Sequence, residues 1–116
     1  MSDYEIDNSE NESELNYDFE YTESLLKKID LLLIENKFKK RDLVVWKNGL
    51  RNKKLPNEGQ PAVVLEILTA PLIEHEQETG SPYFREPLDI VLAMLDEDGD
   101  LVSFHYDSRR FELYKN

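Results

Sequence analysis

The spacing of apolar residues changes twice along the chain, from scarcity to a helical repeat and then to short strand-like runs. Up to residue 16 apolar positions are few, and Ser2, Asn8, Ser9, Asn11, Ser13 and Asn16 are interspersed with acids. A segment with so little to bury and so much like charge is predicted to be a disordered tail, residues 1–16. Tyr17, Phe19 and Tyr21 open the next element. Phe19, Leu26, Ile29 and Leu33 then recur at helical spacing, and Leu25 and Leu32 widen that stripe, which predicts an amphipathic helix within residues 17–36. Glu20 and Glu23 near its start and Lys37 after its end suit the helix dipole, and Asn36 suits the left-handed position that ends a helix. Leu31 and Ile34 fall outside the stripe. An apolar surface this broad calls for two neighbours, the body of the domain and a second copy of the chain, so a homodimer through the helix is favoured.

From Leu43 the period becomes that of strands. Leu43-Val44-Val45-Trp46 is short and β-branched and stops at Asn48-Gly49, and Ala62 to Leu68 follows between Pro61 and Pro71. Leu88–Leu95 and Leu101–Tyr106 are joined by Asp96-Glu97-Asp98-Gly99-Asp100, whose Asp-Gly pair predicts a hairpin. Asp107-Ser108-Arg109-Arg110 reads as one tight turn before a closing strand, Phe111 to Tyr114. The fold class expected is mainly β, five strands with one N-terminal helix, closed or nearly closed into a small barrel.

The opening Lys40-Arg41-Asp42-Leu43-Val44-Val45-Trp46, the long loop after it, the Asp98-Gly99 hairpin and the single turn at Ser108–Arg110 before the last strand resemble the SH3-like small barrel, in the loose sense that covers Tudor-type and KOW-type modules. The resemblance covers about residues 38–115, within a barrel domain expected at 37–116. Members of that class mostly bind peptides, modified side chains or nucleic acids and rarely catalyse, which implies a binding module; the connection from Thr69 to Pro87 is longer than such barrels usually have.

Charge adds a direction to these elements. Residues 1–25 carry nine acids and no Lys, Arg or His, residues 37–54 carry eight Lys or Arg against one Asp, and the formal net charge is -11. Either the basic band docks the acidic tail, or it attracts an anionic partner over long range. The overall charge repels nucleic acid backbones and anionic lipid surfaces. At 116 residues one domain is expected, and the absence of cysteine leaves no disulfide or thiolate metal site. The N-terminus lacks a secretion signal and the longest apolar stretch, Leu31–Ile34, is too short for a bilayer, so a cytoplasmic protein without membrane partners is expected.

Candidate chemistry is sparse. His105, Asp107 and Ser108 have the residue types of a hydrolase triad, but adjacent strand positions cannot assemble one. His75 among Glu74, Glu76 and Glu78, and the hairpin acids Asp96, Asp98 and Asp100, lack the ligand count of a metal site. No catalytic, metal or cofactor residue is therefore assigned, and no cofactor is implied. Partner-binding candidates are Trp46, Tyr83, Phe84, Arg85, Tyr106, Arg109 and Arg110. Trp46 packs in the core or, if Leu43 and Val45 face inward, points outward for recognition. Tyr83, Phe84 and Arg85 lie in the long loop, where they serve a ligand or pin the loop. Arg109 and Arg110 meet a partner's carboxylate or brace the turn through Asp107, Glu112 or Glu86. The function expected is a non-enzymatic protein-interaction module, in one version an inhibitor whose acids imitate a nucleic acid and occupy a partner's basic surface. The alternative is a nucleic-acid-binding barrel using Lys39, Lys40, Arg41, Lys53 and Lys54.

Overall fold

The β-branched runs pair into a single antiparallel sheet. The computed structural model describes residues 17–73 and 86–115. Its elements are helix α1 (Phe19–Leu33) and strands β1 (Leu43–Trp46), β2 (Ala62–Ile73), β3 (Pro87–Leu95), β4 (Leu101–Tyr106) and β5 (Phe111–Leu113), with a 3-10 turn at Ser108–Arg110. Contacts divide the described chain after Asp30, so that most of the helix forms one unit and the sheet with the helix end forms the other.

Asp18 starts the helix by accepting a hydrogen bond from the Tyr21 N–H at 3.0 Å, the usual N-cap contact. No residue of α1 is buried; Phe19, Leu26 and Leu33 are exposed. The helix ends at Leu33, and the left-handed Asn36 that the sequence suggests is absent, because Arg41 is the one non-glycine residue with positive φ among those described. Lys47 terminates the helix instead. Its buried Nζ donates to the Leu31 carbonyl and, at 2.8 Å, to the Ile34 carbonyl. A cation at this place satisfies orphan carbonyls and faces the negative end of the dipole. Burial lowers the Lys47 pKa, partly offset by Glu112 and Asp107.

The strand order is β4-β3-β2-β1-β5. β1 lies between β2 and β5, with Leu43 opposite Val63 and Trp46 opposite Phe111. The expected closure into a barrel is not formed by hydrogen bonds, since among the described residues β4 and β5 are the two ends of the sheet. β2 runs five residues past the predicted end, through Pro71. Its register against β3 shifts between Ile67 and Leu72, and a residue without an N–H is tolerated where the ladder is interrupted. At the β3–β4 hairpin Gly99 has φ 84 and donates to the Asp96 carbonyl, while Asp96 donates to the Asp100 carbonyl. This is the bulged turn that an Asp-Gly pair favours.

One face of the sheet is the core. Val44, Trp46, Val64, Ile90, Leu92, Met94, Tyr106 and Phe111 are buried together, with Phe38 packed on them. Trp46 therefore points inward and Leu43 outward, the reverse of the phase that would have exposed the indole. Its ring stacks on Phe111 with centroids 4.2 Å apart, and Tyr106 meets both edge-on. No helix among the described residues is long and apolar enough to cross a membrane.

Candidate functional site

Where the core face runs out toward β4, a groove of about 550 Å³ remains open. One wall is the loop Lys53-Lys54-Leu55, the far end is Leu72 of β2 with Leu88 of β3, and the floor and near side are Ser103, Phe104, His105 and Tyr106 of β4. The loop wall is fixed by buried donors. The Tyr106 hydroxyl donates to the Leu55 carbonyl at 2.9 Å, and the Trp46 Nε1 donates to the Pro56 carbonyl at 2.6 Å. Arg51 orders the same loop from outside, its Nε donating to the Lys53 carbonyl at 3.0 Å and its Nη2 to the Lys54 carbonyl. Burial pushes the Tyr106 phenol up to about 12, so it stays a donor at every physiological pH.

Four consecutive residues of β4 border this groove although side chains on a strand alternate between faces. By the register Phe104 and Tyr106 share a face with Leu88 and Ile90, so the groove lies on that face, and Ser103 and His105 border it at the outer edge of the strand. The hydrogen-bond pattern agrees. Asp96 and Asp100 form a bonded pair at the hairpin, and pairs alternate along an antiparallel ladder. With Met94 opposite Val102 and Leu92 opposite Phe104, the N–H and C=O groups of Val102, Phe104 and Tyr106 face β3. Those of Leu101, Ser103 and His105 face away from the sheet.

The groove carries two lysines and one histidine, and no carboxylate among its described residues. Glu86, near the loop, is engaged by the Arg110 Nε and by the Asn52 Nδ2 at 3.0 Å. Arg110 also donates to the Leu50 carbonyl. Arg109 pairs with the buried Asp107 at 2.7 Å. Burial alone would raise the Asp107 pKa, but hydrogen bonds from the Arg109 side chain and backbone outweigh it and hold the carboxyl below its ordinary value. Ser108 adds two bonds to Asp89 through its N–H and hydroxyl. The turn that carries both arginines is thus braced from within.

Of the residues singled out in the sequence, Tyr106, Lys53 and Lys54 meet at the groove. Trp46 supports it from the core, Arg109 and Arg110 stand in the braced turn, and Lys39, Lys40 and Arg41 sit on the exposed turn before β1, away from the groove lining. Tyr83, Phe84 and Arg85, like the acidic tail and His75, lie outside the described residues. Leu55, Leu72, Leu88 and Phe104 were not singled out. The one available signal was Phe104, an aromatic on a strand ending in a hairpin. The Asp96, Asp98 and Asp100 carboxylates lie within 4.8 Å of one another, but Asp96 spends Oδ1 on the N–H groups of Asp98 and Asp100 and so builds the turn. Comparison with protein-family models, with curated proteins and with solved structures finds no match to this chain.

Proposed function

We propose that the protein is a non-enzymatic interaction module that holds an extended segment of a partner protein as an added strand on the edge of β4 that no other described strand pairs with. The observation that carries this is the groove bordered by four consecutive residues of an edge strand, which offers backbone donors and acceptors beside an apolar floor. Strand addition draws affinity from main-chain hydrogen bonds and selectivity from pockets that take alternate side chains. Within the strand itself the usual guarding residues are missing: Leu101 to Tyr106 contains no lysine, no proline and no carboxylate. A binding role is also what the sequence resemblance to SH3-like small barrels implies, since members of that class mostly bind. On this reading the chain grips a partner segment and does not act by imitating a nucleic acid, because the groove is lined by lysines.

The test is selection of peptides from a random library on the immobilised full-length chain, followed by titration against Ser103→Pro and His105→Pro. Each proline removes one outward N–H while sparing the ladder to β3. Selected peptides should lose about fivefold or more in affinity to either variant, as expected for a lost backbone hydrogen bond of about 1 kcal/mol or more. Circular dichroism checks that the variants fold, and peptides N-methylated along one edge give the same information on the unaltered protein. Affinity untouched by both prolines and by N-methylation would remove strand addition.

A further inference from the structure

We infer that the segment this edge accepts is acidic, with an apolar side chain and a carboxylate two residues apart on the face turned to the groove. The inference rests on the strand-addition reading above and adds the chemistry of the occupant. An added strand turns every second side chain toward the groove, so consecutive groove-facing groups stand about 6.6–6.8 Å apart. Such a strand meets two surfaces in succession. The apolar part of the lining, Phe104 with Leu72 and Leu88 at the far end, takes an aromatic or branched aliphatic group, and the wall takes a charge, since Lys53 and Lys54 belong to it. Those lysines are placed for this. Arg51 binds the carbonyls of both residues, so its guanidinium is committed to the backbone while the two ammonium groups depart from an ordered loop. The nearby Glu86 is committed to Arg110 and Asn52. In a chain of net charge -11, this is a local basic site beside an apolar slot.

A second copy of the chain fits less well. Its own β4 edge, Leu101 to Tyr106, has no carboxylate to offer Lys53 and Lys54, and pairing two chains of net charge -11 sets like charges against each other. A nucleic acid strand would bring phosphates to the lysines, but with a charge on every nucleotide it meets far more repulsion from a chain of net charge -11 than a segment offering one groove-facing carboxylate does.

The experiment uses the full-length protein and three fluorescent octapeptides of alternating pattern, identical except that the variable groove-facing position carries Glu, Gln or Lys. Anisotropy titrations at low salt should give the Glu peptide about tenfold tighter binding than the Gln peptide, the scale of two partly exposed ion pairs, and weaker binding still for the Lys peptide. The double variant Lys53→Gln with Lys54→Gln should remove the preference, so that the Glu and Gln peptides bind it alike. Equal binding of the Glu and Gln peptides, with both weakened by Ser103→Pro, would overturn the acidic occupant and leave strand addition standing. No binding of any peptide would overturn both. A dimer in sedimentation that dissociates on Ser103→Pro would give the edge to a second copy, and displacement of the Glu peptide by a single-stranded oligonucleotide at physiological salt would give it to nucleic acid; either result overturns the inference.

Discussion

Lys47 shows how a single residue departs from what its neighbours suggest. It lies in a run of lysines and arginines that reads as a solvated surface, yet its ammonium is enclosed and donates to the last carbonyls of α1. Hydrogen bonds to charged groups contribute about 1.5–3 kcal/mol each, so Lys47→Met should cost about 3 kcal/mol in urea unfolding, whereas Lys37→Met, at an exposed position, should stay within about 0.5 kcal/mol. Equal small effects would mean that Lys37 shares the capping. Tyr106 gives a second test, through pH. Its phenol holds its proton to about 12 in the fold and to about 10 in the unfolded chain. The folded state therefore binds the proton more tightly, its contribution is complete below about pH 10, and stability is lost as pH rises from there toward 12. Tyr106→Phe should remove that alkaline decline and cost about 1 kcal/mol at neutral pH through the lost bond to the Leu55 carbonyl, as read from denaturant midpoints across pH. Asp107 works with the opposite sign. Its lowered pKa stabilises the fold at neutral pH, and the contribution fades as pH falls through the acid range.

At the scale of elements, legibility follows the clarity of each local signal. β1 and β4 occupy the residues that their β-branched runs and turn punctuation indicate, and the Asp-Gly hairpin forms where a bulged turn is favoured. The facing of β1 was not legible, because Leu-Val-Val-Trp is apolar on both faces and a period of two then has no phase. The length of β2 was hidden by Pro71, which ends a regular strand but survives in an irregular ladder. The groove was invisible for a different reason. Leu55, Leu72, Leu88 and Phe104 come from separate segments and are each ordinary in composition; the register of β2, β3 and β4 brings the last three together, and the Tyr106 hydroxyl holds Leu55 beside them. Two measurements separate strong from weak elements. Leu92 is fully buried at the centre of β3, and Leu92→Ala should cost about 2–5 kcal/mol. Helix α1, with fifteen residues and none buried, sits at the length where isolated helices are marginal. Its amides from Thr22 to Lys28 should exchange with solvent orders of magnitude faster than those of β3, and Asp18→Ala should speed them further by removing the N-cap. Slow exchange in that stretch would show that a partner covers its apolar stripe.

For the whole molecule, the sign of the salt dependence is the informative quantity. A chain of net charge -11 repels itself in the folded state, yet eight of its fourteen Lys and Arg are concentrated in residues 37–54. If repulsion dominates, added salt stabilises; if attraction between the band and the acids dominates, salt destabilises. The pairs that are deeply engaged, Arg109 with Asp107 and Arg110 with Glu86, are partly shielded from solvent and respond little. The balance is therefore set by the exposed charges, of which acids are the majority. Raising ionic strength from about 10 mM to about 150 mM shortens the screening length from about 30 Å to about 8 Å and should raise the melting temperature by about 2–4 °C, consistent with a gain of about 0.5 kcal/mol in a domain of this size. Peptide binding at Lys53 and Lys54 should weaken over the same range, because there the interacting charges are opposite. A melting temperature that falls with salt would show that the basic band is held by the chain's own acids, and Lys53→Gln with Lys54→Gln would then raise salt tolerance in the free protein as well as abolish the preference for acidic peptides.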